Sequence, residues 1–183
     1  MDKQHIRDRI LKERNALSPE FVDEKSAQVY EKLITLPQVK DAQTVLTYAD
    51  FNNEIHMAEI TGWLLFHGRT VGLPVVEDHA MHAVRYNGLP MKKSAFGIEE
   101  PCIEEDSILD PGEISLILCP GVAFSKDKAR IGYGRGYYDR FMAQAPQAYR
   151  IGIAYDFQVL GSVPTESGDL PMNMIVTPDC IIR

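Results

Sequence analysis

Apolar positions recur along the chain with two different periods. Near the amino terminus Ile6, Ile10 and Leu11 fall at i, i+4 and i+5, with Lys3, Arg7 and Arg14 on neighbouring faces, which predicts a helix over residues 2–16. Ser18-Pro19 breaks that pattern and starts a second helix, with serine as N-cap and proline at the first helical position. Phe21, Val22, Val29, Leu33 and Ile34 carry it to Leu36, and Pro37 is expected to stop it. Residues 44–49 are β-branched and apolar and predict a strand. Residues 50–53 read as a turn, Glu54 opens a third helix through Phe66, and His67-Gly68 closes it. Residues 69–76 predict a second strand interrupted at Pro74, and residues 81–86 alternate as a partly exposed third. Residues 90–111, with three prolines and an acidic cluster, read mainly as loop. Residues 114–119 are the most apolar run and are expected to form a central strand. A glycine-rich loop and a helix over about 136–144 follow. Residues 150–155 and 173–177 are the last strands, and 156–171 are mostly loop.

Strands alternating with helices predict an α/β fold: a single three-layer α/β sandwich, with a mostly parallel central sheet flanked by helices. Ligands of such sheets sit beyond the carboxyl ends of the strands. Two stretches fall there: the loop after residues 114–119, and Glu54 just past residues 44–49. At 183 residues with 45% hydrophobic content the chain is expected to be one domain with a sizeable core. No apolar run reaches the roughly 18–20 residues of a membrane span. The charged amino terminus has no apolar core of a signal peptide. The net charge of −7 argues against generic nucleic-acid binding and leaves room for a local basic pocket. Cys102, Cys119 and Cys180 are odd in number and lack CxxC spacing, which fits a reducing cytoplasm and gives no structural zinc site.

The candidate chemistry is concentrated in residues 120–141, PGVAFSKDKARIGYGRGYYDRF. Gly132, Gly134 and Gly136 lie between arginines, after an apolar strand and before a helix. Such a loop brings backbone N–H groups and a helix dipole to an anion; it can equally be a tight turn that needs positive φ. Lys126, Lys128, Arg130 and Arg135 crowd into ten residues of an otherwise acidic chain. The loop matches neither the G-x-G-x-x-G of dinucleotide folds nor the P-loop. Asp139 is either a carboxylate stabilising a helix start or a Mg²⁺ ligand beside phosphates. Asp169, in PTESGDLP, reads as a turn residue on its own, and Glu54 as an acidic residue in the first turn of a helix. Of Tyr137 and Tyr138, about 100° apart on a helix, one is expected in the core and one at the pocket. No Ser-His-Asp or Cys-His arrangement is present. That favours chemistry on a phosphorylated substrate or nucleotide over a covalent enzyme intermediate.

Residues 120–141 closely resemble the long motif of the 5-formyltetrahydrofolate cyclo-ligase family, P-G-[VL]-A-F-D-x-x-G-x-R-[IL]-G-x-G-x-G-Y-Y-D. The resemblance extends to K-x-x-x-R (Lys3, Arg7), Y-x-x-x-x-x-E (Tyr48 to Glu54) and F-G-I-x-E-P (residues 96–101). It also takes in V-P-x-E-x-x-D (residues 163–169) and I-V-T-P (residues 175–178). It implies a cytoplasmic α/β enzyme, monomeric or a weak homodimer, that uses Mg-ATP to close 5-formyltetrahydrofolate to 5,10-methenyltetrahydrofolate, with neither nucleic acid nor membrane as partner. It implies ATP binding by Lys3, Gln4, His5, Ile6 and Arg7. The loop residues Arg130, Ile131, Gly132, Tyr133, Gly134, Arg135, Gly136, Tyr137 and Tyr138 are implied as the rest of the ATP site. Arg130 and Tyr138 are implied as catalytic, Ala49, Glu54 and Tyr138 as folate-binding, and Asp139 and Asp169 as Mg²⁺ ligands. The first helix is expected to dock on the loop and to order when ATP binds. The chain departs from the family pattern at Ser125 (usually Asp), Lys128 (usually Gly), Gly168 (often His) and Asn173 (commonly Asp), which bears on the loop's conformation and on Asp169. The alternatives are a non-catalytic folate- or nucleotide-binding protein on the same scaffold, or, by fold analogy, a sugar-phosphate or CoA enzyme.

Overall fold

The computed structural model describes residues 2–88, 91–95, 97–104 and 107–183. Phe96 of the F-G-I-x-E-P run, and Pro90, Glu105 and Asp106 of the stretch read as loop, lie outside the described residues. In chain order the helices are α1 (Lys3–Asn15), α2 (Pro19–Leu33), α3 (Pro37–Lys40), α4 (Ala58–Phe66) and α5 (Tyr137–Gln144). The strands are β1 (Thr44–Leu46), β2 (Thr70–Glu77), β3 (Ala80–Tyr86), β4 (Met91–Lys93), β5 (Glu99–Pro101) and β6 (Leu116–Pro120). They continue with β7 (Ala123–Ser125), β8 (Arg130–Ile131), β9 (Tyr149–Ile153), β10 (Val159–Leu160), β11 (Met174–Val176) and β12 (Ile181–Ile182).

Among the described residues the main sheet has seven strands in the order β12-β11-β9-β6-β1-β2-β3. Its inner pairs are parallel and only the two edge pairs, β11–β12 and β2–β3, are antiparallel. β6 stands at the middle, as its unbroken apolar run predicts for a strand covered on both faces. The two-residue period of a strand then divides each strand between two cores. Val45, Leu116, Leu118, Ile151, Ile153, Met174 and Val176 pack with α2 and α4 through Val29, Leu33, Ile60 and Leu64. Leu46, Ile117, Cys119 and Ile175 pack on the other face with Phe141 and Met142 of α5.

Pro74 does not interrupt β2. The parallel pairing with β1 ends at Gly72, so beyond it β2 has β3 as its ladder partner, and a missing N–H is tolerated on the open side. Pro37 ends α2 only indirectly: it takes the first position of α3, where an N–H would be unpaired in any case. The region read as loop contains the β4–β5 hairpin. The long motif folds more fully than strand, loop and helix. β7 and β8 form a hairpin, β10 adds to β7 in parallel, and α1 lays Ile6 and Ile10 on Val122, Ala123 and Ile131.

Two departures in this motif have local explanations. Lys128 takes φ 69° at the hairpin turn, the left-handed conformation for which glycine is the usual residue. Ser125, 1% exposed, accepts the Ala129 N–H on its Oγ at 3.1 Å and so closes the turn without a carboxylate. Asn173 likewise accepts the Arg150 N–H at 2.8 Å through its Oδ1.

Candidate active site

The glycine loop runs from β8 to α5 on the carboxyl side of β6. Gly134 (φ 96°) and Gly136 (φ 68°, the α5 N-cap) take conformations that a side chain would strain. A Cβ at Gly134 would also lie 3.3 Å from the Arg7 guanidinium carbon. The loop is therefore both a positive-φ turn and a close-approach surface. α1 docks through contacts to the loop and to the segment before Leu170. Arg7 Nε donates to Gly132 O at 2.8 Å, while Lys3 Nζ reaches Asp169 Oδ2 at 2.7 Å and Glu166 Oε1 at 3.2 Å. Of the run from Lys3 to Arg7, Arg7 faces the glycine loop and Lys3 faces the segment that holds Glu166 and Asp169. Gln4 and His5 are exposed, and Ile6 is buried against the hairpin.

Arg130, 7% exposed, is fixed by Pro120 O (3.1 Å from Nη1) and by Asp139 Oδ2 (3.0 Å from Nη2). Its guanidinium lies 5.4 Å from the centroid of the Tyr138 ring. Arg130 Nε and Tyr138 Oη are buried without a hydrogen-bond partner in the protein. An unpaired buried polar atom costs about 1–3 kcal/mol, so a ligand group that meets one gains correspondingly. Burial pushes the Tyr138 hydroxyl well above its ordinary value, and Cys119 and the Glu54 carboxylate add to the rise. Tyr138 thus stays a neutral donor placed between the basic loop and Glu54.

Asp139 Oδ1 accepts the N–H of Leu170 at 3.3 Å, which brings it beside Asp169 although thirty residues of sequence separate the two. Burial raises the Asp169 carboxyl, but the Lys3 ammonium and the Glu166 N–H outweigh it and hold it below its ordinary value. Paired carboxylate oxygens suit Mg²⁺, which takes one or two carboxylates and completes its shell with phosphate oxygens and water. Among the described residues no group of three or more His, Cys, Asp or Glu could hold a metal by itself.

Glu54 is not a helix residue. α4 begins at Ala58, and Glu54 lies in the preceding loop, 4% exposed. Its Oε1 accepts the Tyr133 hydroxyl at 2.9 Å and lies 3.7 Å from Arg14 Nη1, and its Oε2 accepts the Phe51 N–H at 3.3 Å. Burial pushes its carboxyl from 4.5 to about 7, against the opposing pull of Arg14, Tyr133 and the Phe51 N–H. Arg14 is fully buried and anchors this corner. Its guanidinium donates to Asn52 O (2.9 Å), to Gly121 O (3.4 Å) and to the Tyr133 hydroxyl. Sequence reasoning placed Arg14 on a face neighbouring the apolar stripe. The available signal was its register, since Ile6, Ile10 and Arg14 fall on one stripe at i, i+4 and i+8.

Beside this corner a cleft of about 350 Å³ opens between the segment after β1, α4 and the β2–β5 strands. Tyr48, Ala49, Asp50, Thr61, Leu73 and Tyr86 are among its lining residues. Ala49 lines it directly; Glu54 does not. Asp50 accepts the Met57 N–H (2.9 Å) and pairs with His56 Nδ1 (2.7 Å).

A basic glycine loop on one side and a buried carboxylate with an adjoining cleft on the other define an α/β protein with two half-sites beyond the carboxyl ends of its central strands. One half suits phosphates, and the other suits a ligand that donates hydrogen bonds. The sequence matches the profile of the 5-formyltetrahydrofolate cyclo-ligase family over residues 1–178. It is 31% identical over 176 residues to the 5-formyltetrahydrofolate cyclo-ligase of Haemophilus influenzae, covering 93% of this chain and 94% of that one. It is 30% identical over 176 residues to the enzyme of the same name from Escherichia coli, covering 92% and 96%. The fold superimposes on 5,10-methenyltetrahydrofolate synthetase of Aquifex aeolicus with TM-score 0.89 at 31% identity, covering 100% of this chain and 93% of that one. For the Mycoplasma pneumoniae synthetase the values are 0.79 and 26%, covering 97% and 99%. The chain belongs to the 5-formyltetrahydrofolate cyclo-ligase family.

Proposed function

We propose that this chain catalyses the ATP-driven closure of 5-formyltetrahydrofolate to 5,10-methenyltetrahydrofolate, with release of ADP and phosphate. The observation that carries the reading is the Tyr133–Glu54 hydrogen bond, which sets the basic loop and the buried carboxylate side by side in a chain of this family. ATP phosphates lie on the loop N–H groups, with Lys3, Arg7 and Arg130 supplying positive charge. Glu54 accepts two parallel hydrogen bonds from the aminopyrimidinone edge of the pterin, a geometry that only a planar two-oxygen acceptor provides. Asp139 and Asp169 would hold Mg²⁺, which would supply charge neutralisation at the phosphates.

The formyl oxygen attacks the γ-phosphorus and ADP leaves. The resulting imidate-like phosphate carries a good leaving group on the former carbonyl carbon. N10 attacks that carbon and loses its proton, and the phosphate departs with the C–O bond electrons. The protein supplies position and charge neutralisation and no nucleophile of its own. Arg130 is rigidly held beside Asp139 and offers its guanidinium to the transferring phosphoryl group. Tyr138 offers its unpaired hydroxyl to the substrate oxygen. We read residues 1–183 as one catalytic domain, cytoplasmic, monomeric or weakly dimeric, with no nucleic-acid or membrane partner. The net charge of −7 speaks against a generic nucleic-acid partner.

The route is tested with folate labelled with ¹⁸O in the formyl group. Label recovered in the released phosphate, matched to methenyl product, is the expected result. Product formed with unlabelled phosphate would exclude phosphorylation of the formyl oxygen.

A further inference from the structure

The glycine loop and the folate-side carboxylate are linked by one side chain. Tyr133 is flanked by Gly132 and Gly134 and belongs to the loop, yet its hydroxyl donates to Glu54 Oε1 at 2.9 Å across 79 residues of sequence. That hydroxyl also accepts from Arg14 Nη2. Its ring lies 5.1 Å from that of Phe51, in the segment just before Glu54. Arg14 closes the arrangement by donating to Asn52 O on the Glu54 side and to Gly121 O on the β6 side. Tyr133 is 38% exposed, so it is not buried to fill a core. Its polar contacts run between the two half-sites and leave the loop's own backbone untouched.

We propose that Tyr133 is an interlock that makes nucleotide binding on the loop and folate binding at Glu54 mutually dependent; this rests on the function proposed above. The argument is one of linkage. Glu54 offers each carboxylate oxygen to more than one donor, so Tyr133 and a pterin edge can be bonded together. Tyr133 orients the carboxylate and favours its charged form only while the loop holds the conformation seen here. A nucleotide that fixes the loop therefore prepares Glu54 for folate. A folate that fixes Glu54 holds Tyr133, and with it the loop, for nucleotide. The coupling is reciprocal by thermodynamic necessity, and couplings of this kind are typically about 5- to 150-fold.

The test is calorimetric titration of the full chain with Mg²⁺ and a β,γ-imido ATP analogue, without and with saturating 5-formyltetrahydrofolate. Folate is also titrated alone. The wild-type protein is expected to bind the analogue about tenfold more tightly when folate is present. Tyr133→Phe keeps the ring against Phe51 and removes the hydroxyl. In it the ratio of the two dissociation constants is expected to fall to near unity, whatever becomes of either constant alone. A ratio in Tyr133→Phe equal to that of wild type overturns the interlock, as does a wild-type ratio of one. If wild type binds neither ligand even with both present, the functional reading falls and the interlock falls with it. Binding of both ligands without coupling removes the interlock only.

Discussion

Glu54→Gln is the substitution whose effect the structure specifies most closely. The carboxyl is 4% exposed, and its proton affinity in the folded chain rises from an ordinary 4.5 to about 7, chiefly through burial. The unfolded chain loses this proton near pH 4.5, whereas the native chain keeps it until about pH 7. Between those limits the native state holds more protons, so ionisation of Glu54 opposes folding and stability falls as pH rises. At about 1.4 kcal/mol for each tenfold change in proton affinity, the cost reaches about 3 kcal/mol above pH 7 and is absent below pH 4.5. Glutamine keeps the shape and has nothing to ionise. Loss of its charge also leaves Arg14 unpaired, but arginine is charged throughout this range, so that penalty is a constant offset. Urea unfolding of ligand-free wild type and Glu54→Gln at pH 5, 6, 7 and 8 separates the two effects. Relative to the variant, wild type is expected to lose about 2–3 kcal/mol across the series, with the slope ending near pH 7. Parallel stability curves would refute the claim that a buried, proton-retaining carboxyl sits at this position.

Other substitutions probe the remaining parts of the site. Arg14→Met removes the partner of a buried carboxyl and the donor to two carbonyls, and is expected to cost about 3–5 kcal/mol in chemical denaturation at neutral pH; a loss below 1 kcal/mol would show that the guanidinium is not structural. Lys3→Ala and Arg7→Ala each remove a charged donor worth about 1.5–3 kcal/mol and are expected to raise the KM for ATP about tenfold or more, whereas an unchanged KM for both would separate α1 from the nucleotide site. Asp139→Asn is expected to abolish turnover at ordinary Mg²⁺; normal activity would sink its role as a metal ligand.

The elements read most reliably from sequence were those whose pattern is local. α1 and α2 carry their own stripes and caps, and the Ser18 hydroxyl accepts the Phe21 N–H as a serine N-cap should. The apolar run before Pro120 read as a buried central strand, and it is the centre of the sheet. What stayed hidden depends on contacts distant in sequence. β7 and β8 are three and two residues long, too short to show a period, and Lys128 occupies a left-handed turn without the glycine that would have announced it. Glu54 precedes a helix and looked like part of it. Its polar partners are Tyr133 and Arg14, which no local window connects to it. The long motif located the loop, and Asp139 with it. That Asp169 belongs beside them was implied only by the family resemblance; physically it follows from Leu170 bonding Asp139.

Turnover of the purified chain tests the central claim most directly. Protein, Mg-ATP and 5-formyltetrahydrofolate are mixed, and methenyl product is followed by near-UV absorbance while ADP is followed by a coupled assay. The account predicts both signals in equal amounts, each requiring the other substrate. Tight binding of both ligands with neither product would contradict it and leave a binding protein on an enzyme's scaffold.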